Sequence, residues 1–432
     1  MKTKKLFVFL LPVFAIAGLI LFNACKSADN KNTSTKTDST NTATAPATAN
    51  AGLTLPAGFS AAAIAENLSS PRHLVVTPQN DIYVHLSGSN NGKGILVFHD
   101  DGDKATLKTG FANYGGTGIA IKNGYLYASS NSDIYRYKLN DKSEVIDPAK
   151  PETIVAGLTN KRMHNSKSIV LDNDGNIYVN IGAYSNICDD YDKDKKGCPV
   201  LADAAGIWQF KADKLNQKQS DGIRYATGLR NVVGLDWNQQ DNQLFVMQHG
   251  RDALHDLFPA MYTTKQSADL PSECMFVLKK GDDAGWPYVY YDWIQQKVMA
   301  GPEYGGDGKK EADAKYLRPA VGYPGHFAPD GLLFYTGSQF PEKYKNGAFI
   351  AFHGSWNRAP EPQEGYCVVF QPFKDGKPDG KYEIFADGFA GPDKSPDKAL
   401  HRPCGLAQGP DGALYVTDDQ KGTIYKITYK KQ

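Results

Sequence analysis

The chain has 432 residues, with 48 Lys and Arg against 47 Asp and Glu, and a net charge of +1. That balance excludes a charge-driven attraction to nucleic acid or to an acidic surface partner. Aromatic residues at 11%, 42 glycines and 24 tyrosines describe a strand-and-turn protein with material for a large core.

In chain order, the first segment stands outside the fold. Lys2, Lys4 and Lys5 precede an apolar run from Leu6 to Phe22, which ends in "LFNAC" at Cys25. A basic head, an apolar middle and a small residue before a cysteine make a secretion signal. It resembles a bacterial lipoprotein signal over residues 1–25, which implies lipidation of Cys25 and a membrane contact through that anchor alone. An ordinary signal peptide or a single membrane anchor is the alternative. Residues 26–52 are almost all Ser, Thr, Asn, Ala and Lys. They cannot bury a core and read as a tether. The catalytic domain is expected over 53–432.

From residue 53 the sequence repeats. A strand of the form G-x-[IL]-[YF]-[VA] occurs as DIYVHL, GYLYASS, GNIYVNIG, NQLFVMQ, NGAFIAF and GALYVTD. Each is preceded by another strand (HLVVTP, GIAIKN, SIVLDN, VVGLDW, GLLFYT, GLAQGP) and followed by a third with a bulky centre. A fourth, more polar strand ends near Leu68, Phe111, Leu158, Leu229 and Phe389. Four strands in six units predict an all-β fold, a six-bladed β-propeller. The last unit has only three strands, and "GFSAAAIAENL" at the N-terminus is an orphan of the outer type. Pairing the two closes the ring and removes both edges. Insertions at 186–204, 252–272 and 292–320 are expected to form loops of one face.

Polar residues collect where the first strand of each unit begins. In order they are Arg72 and His73, then Gly115, Gly116 and Thr117, then Arg162 and His164, then Arg230 and Asn231, then His326, then His401 and Arg402. Rotational repetition puts them around one mouth, joined by His249–Arg251 and by "HGSWNR" at His353–Arg358. So many cations and imidazoles need a counter-charge. Either neighbouring Asp and Glu supply it, or a small polyanion binds there. Cys188 and Cys198 flank a polar loop and are either a disulfide or two thiols; Cys274, Cys367 and Cys404 read as buried thiols.

The motifs "HNSKSIVLDNDGNIYVNIG", "GLRNVVGLDWN", "QHGRDALHDLFP", "DDAGWPYVYYD", "FHGSWNR" and "HRPCGLAQGPDGALYVTDD" occur in this order. With them the chain resembles the glucose/sorbosone dehydrogenases and pyranose dehydrogenases, with a balance closer to the sorbosone branch. The resemblance implies a secreted propeller that oxidises a sugar with pyrroloquinoline quinone (PQQ) and calcium (Ca2+), and that passes electrons to a separate cytochrome or quinone. It implies His164 as the general base, and Arg230, Asn231 and Arg402 as cofactor contacts. The carbonyls of Gly250 and Arg251 become calcium ligands. Arg358 stands in for a lysine that the glucose enzymes take from the fifth unit. Where those enzymes carry an Asp that orients the histidine, this chain has Ala183, so another carboxylate or a carbonyl must hold His164. Two other classes stay open: a calcium-dependent lactonase or esterase propeller, and a non-catalytic envelope binding propeller. The former needs inward carboxylates on its metal, and the leading ends show few.

Overall fold

A computed structural model describes residues 49–161 and 163–431. The signal segment, Cys25, the tether up to residue 48 and Arg162 lie outside the described residues. Within them the chain forms six antiparallel blades around a channel, as the repeats predict. The innermost strands are Pro71–Val76, Ile119–Lys122, Ile169–Leu171, Val232–Asn238, Pro329–Phe334 and Pro403–Gln408.

The strongest repeat forms the second strand of each blade, and its composition follows from its place. In Asn176–Ile181 every residue is buried. Ile177, Val179 and Ile181 face the preceding blade, with Tyr127, Ile134 and Val155. Tyr178 points the opposite way, to Val232, Leu235 and Trp237 of the next blade. A strand covered on both faces has no solvent side, so its apolar run is nearly continuous. Each such large side chain contributes roughly 1.5–3 kcal/mol by leaving water.

The ring closes where the orphan strand was expected. Phe59–Ala65 pairs antiparallel with Thr423–Tyr429, Phe59 opposite Tyr429. Phe59 then enters an aromatic cluster, with ring centroids 4.8 Å from Phe340, 5.0 Å from Phe385 and 5.4 Å from Tyr344. The described chain begins slightly inside the predicted tether, with a 3-10 turn at Ala49–Gly52, and Leu53 is already buried.

The insertions carry the remaining structure. Cys188 and Cys198 form a disulfide, with Cα atoms 6.0 Å apart, across the first insertion. Cys274, Cys367 and Cys404 are free and buried. Short helices Leu254–Leu257 and Thr264–Asp269 occupy the second insertion, and the hairpin of Val289–Asp292 with Lys297–Ala300 overlaps the third. The three converge. The Asn186 side-chain amide donates to the Asp252 carbonyl at 3.1 Å, and Arg251 pairs with Glu303 at 2.5 Å.

Candidate functional site

The mouth brings His164, Arg230, Asn231, His249 and Asp252 together from two adjacent blades. His164 lies just before the third blade's inner strand, with φ +52°. This left-handed backbone costs an L-residue roughly 1–2 kcal/mol, a local strain typical of functional sites. Its Nδ1–H donates to the Ala183 carbonyl. The missing family carboxylate is therefore replaced by a backbone oxygen, and the other ring nitrogen, Nε2, keeps its lone pair. Burial lowers the imidazole to about 3, and the charge of Arg230 adds to the effect. Gly182 packs against this histidine: a Cβ there would sit 2.6 Å from His164 Cβ and 3.0 Å from Asn231 Oδ1.

Arg230 is buried and all three of its guanidinium nitrogens have partners. Nε donates to the Asn186 carbonyl at 3.2 Å and Nη1 to the Gly250 carbonyl at 2.8 Å. Nη2 donates to Asn186 Oδ1 at 3.0 Å and to Asp252 Oδ2 at 2.8 Å. Burial by itself would raise Asp252; Arg230, His326 and Asn357 outweigh it and hold the carboxylate well below its usual range. Asn231 is buried too, and its Oδ1 has no hydrogen-bond partner among the described residues.

Of the two counter-charges the sequence left open, neighbouring carboxylates are the one seen at most positions. Arg72 meets Asp419 at 2.5 Å and Asp330 at 3.3 Å. His353 pairs with Asp419 at 2.7 Å, His249 with Asp330 at 3.2 Å and His401 with Asp418 at 2.7 Å. Buried guanidinium groups without carboxylates would be too costly, so anions from distant segments interleave with them. The inward carboxylates are thus several, against the sequence reading. Arg402 departs from this pattern. Its Nε donates to the His353 carbonyl at 3.1 Å and its Nη2 to the Gly354 carbonyl, with the guanidinium 5.4 Å from the Tyr366 ring centroid. No carboxylate within 4.0 Å of its guanidinium is seen among the described residues.

Arg358 is used differently from the expectation. It donates to the carbonyls of Pro362, Ala268 and Gly325 and to Asp269 at 3.1 Å. Nη1 and Nη2 pin Ala268 and Asp269 of the helix Thr264–Asp269, Nη1 also reaches Gly325, and Nε holds Arg358's own loop at Pro362. At the Gly250–Arg251 turn a void of ≈ 20 Å³ is lined by Gly250, Arg251, Ser272 and Glu303. The Gly250 carbonyl already accepts from Arg230, and the Arg251 side chain reaches Glu303.

Asp252 was read only as part of the HGRD cluster, and Asp330, Asp418 and Asp419 were passed over. The first sits in HGRD, the second in a PDG turn signal and the last two in TDD, so their motifs were visible but their partners were not. Lys167, three residues beyond His164, was also missed. It is fully buried, its ammonium donates to the Asn165 carbonyl at 2.9 Å, and burial lowers it to about 8.

Comparison with known proteins places the chain as a whole. The TrAA12-like family model matches residues 53–430. A Borreliella burgdorferi protein, itself uncharacterized, is 28% identical over 391 residues, covering 88% of this chain and 91% of that one. A pyrroloquinoline quinone-dependent sugar dehydrogenase of Hypocrea jecorina is 22% identical over 405 residues, covering 86% and 88%. In fold, the chain is similar to the iodide structure of a Trichoderma reesei carbohydrate-active enzyme of family AA12. The TM-score is 0.72 at 20% identity, over 88% of this chain and 98% of that one. A family pattern that runs through all six blades is more than shared architecture, and the chain belongs to the TrAA12-like family.

Proposed function

We propose that this protein is a PQQ- and calcium-dependent sugar dehydrogenase of the cell envelope, oxidising an aldose, a pyranose or a sorbosone-like sugar. The observation that carries the reading is the orientation of His164. With Nδ1–H given to the Ala183 carbonyl, Nε2 is a bare acceptor beside Arg230 and Asn231. It is placed to take the hydroxyl proton of a sugar. The quinone, when bound, supplies the oxidant that accepts the two electrons leaving with the sugar's C–H hydrogen. Two features suit a flat tricarboxylate here: Arg402, which meets no carboxylate among the described residues, and the buried ammonium of Lys167. The quinone-dependent sugar dehydrogenase from Hypocrea jecorina supports the same chemistry.

The residues divide the work. Ala183 and Gly182 hold the imidazole, the former by its carbonyl and the latter by leaving room. Asp252 neutralises Arg230 so that the base is not pushed down further. Electrons leave to a separate cytochrome or quinone. The Gly250 and Arg251 carbonyls would hold calcium, which would supply Lewis-acid polarisation of the quinone there, the Gly250 oxygen being shared with Arg230.

The lactonase alternative regains some ground from the inward carboxylates. Yet among the described residues no group of three or more His, Cys, Asp or Glu is arranged to hold a metal. Supplying PQQ with and without calcium and following dye reduction by an aldose panel tests the reading. Dye reduction that is lost with chelator and restored by calcium supports it. Lactone hydrolysis without dye reduction overturns it.

A further inference from the structure

Trp356 is 63% exposed, more than any other large apolar side chain among the described residues. It borders a hollow of ≈ 130 Å³ between its own loop and the two helices of the 252–272 insertion. The other walls mix alanines with hydrogen-bonding groups, among them Asp252, His255, Asp256, Thr264 and Asn357. An aromatic face opposite hydroxyl-matching groups is the chemistry that holds a pyranose ring. The CH face of the ring lies on the electron-rich indole, and the edge hydroxyls meet the polar wall.

Two partners in that wall have capacity left. His255 gives Nδ1–H to the Tyr262 carbonyl at 2.7 Å, which leaves Nε2 as an acceptor. Asn357 donates its amide to Asp252 Oδ1 at 2.7 Å, while its own Oδ1 is buried and has no partner among the described residues, so a hydroxyl reaches it only after the Asn357 side chain turns. The hollow has room for about four waters, which ring hydroxyls can replace.

Asp252 places the hollow relative to the reacting centre. One carboxylate oxygen accepts from Asn357 on the side of the hollow, and the other from Arg230 at 2.8 Å. Arg230 and Asp252 both act electrostatically on His164. Asp252 thus links the wall of the hollow to Arg230, which in turn influences His164.

We infer that Trp356 and this hollow form a second sugar subsite, so that the preferred substrate is a disaccharide or the end of a longer glycan. The inference rests on the sugar-oxidation reading and names its substrate class. Trp356 acts there by specificity, since it touches the ring that does not react.

The test has two arms. In the first, quinone-free protein is titrated with glucose, cellobiose and maltose by calorimetry while tryptophan fluorescence is followed. Disaccharide binding that calorimetry detects in the parent, lost in Trp356→Ala and kept in Trp356→Phe, supports the subsite, with the fluorescence change in the parent reporting contact at Trp356. In the second, the quinone-loaded enzyme is assayed with the same sugars. Trp356→Ala should raise KM for the disaccharide about tenfold, with kcat and the glucose KM unchanged, and Trp356→Phe should restore most of the loss. Equal losses for glucose and disaccharide, or none in either arm, overturn the inference. So does a Trp356→Ala defect seen with a cytochrome acceptor and absent with a small dye, which would make Trp356 a docking residue. If no sugar is oxidised, the catalytic reading fails while the binding arm still decides the subsite.

Discussion

Gly182→Ala isolates the placement of the base from its chemistry. The added Cβ would lie 2.6 Å from His164 Cβ, 2.8 Å from the His164 carbonyl and 3.0 Å from Asn231 Oδ1. Carbon atoms rest at about 3.5–4.0 Å, so the histidine must retreat by about 1 Å. Gly182 does not have positive φ, so alanine brings no backbone strain of its own. Overpacking of this kind costs roughly 1–3 kcal/mol, within the stability of an ordinary domain, about 5–15 kcal/mol. The variant should fold and bind quinone. A 1 Å displacement of a reacting group costs about 10²-fold in rate. Dye-coupled turnover at saturating sugar should therefore fall about a hundredfold, while calorimetric Tm drops by only a few degrees. Ala183→Gly, which keeps the carbonyl, should remain within about threefold of the parent in turnover. A Gly182→Ala enzyme that turns over within about twofold of the parent would refute the placement of His164 as base.

His164→Ala should lower turnover by about 10²–10⁴ and leave quinone affinity, measured by fluorescence titration, nearly intact. Nitrogen NMR of the quinone-free protein should show His164 as the neutral Nδ1–H tautomer from pH 5 to 8, because its folded value is about 3; a midpoint near 6.5 contradicts the buried setting. The same depression makes a stability statement. The unfolded imidazole takes up protons below about pH 6.5, so this contribution is complete above that pH and is lost as pH falls toward 3. The difference in urea stability between parent and His164→Ala across that range measures it. His249 and His326 run the other way, since Asp330 and Asp252 outweigh burial and raise them. Phe59→Ala should cost about 3–5 kcal/mol in chemical denaturation, since Phe59 ties the closing strand to the fifth blade. Cys25→Ser should abolish metabolic labelling with palmitate and release the protein from membranes; unchanged labelling would rule out Cys25 as the anchor.

Much of the architecture was legible along the chain. The six G-x-[IL]-[YF]-[VA] strands could be counted because each occupies the same doubly covered position, and the same burial demands the same residues. Closure was legible too: a unit with three strands and an orphan strand at the other terminus leave one pairing that removes both edges. His164, Arg230 and Asn231 could be singled out because rotation maps the leading ends of strands onto one mouth. The surroundings of Arg358 were not legible, since Ala268 and Asp269 belong to an insertion without repeat symmetry.

Repetition along the chain therefore determined the blades, their number, the closing strand and the face on which polar groups gather. Tertiary structure alone decided which of those groups remain available. Arg72 finds Asp419 347 residues away, and Asp330 finds His249 across a blade boundary. The period of a strand reports only which of its faces is covered. Ion pairs depend on distances between residues that no local pattern couples, so the same ring of cations was compatible with a free anion site or a largely neutralised one until the chain was folded.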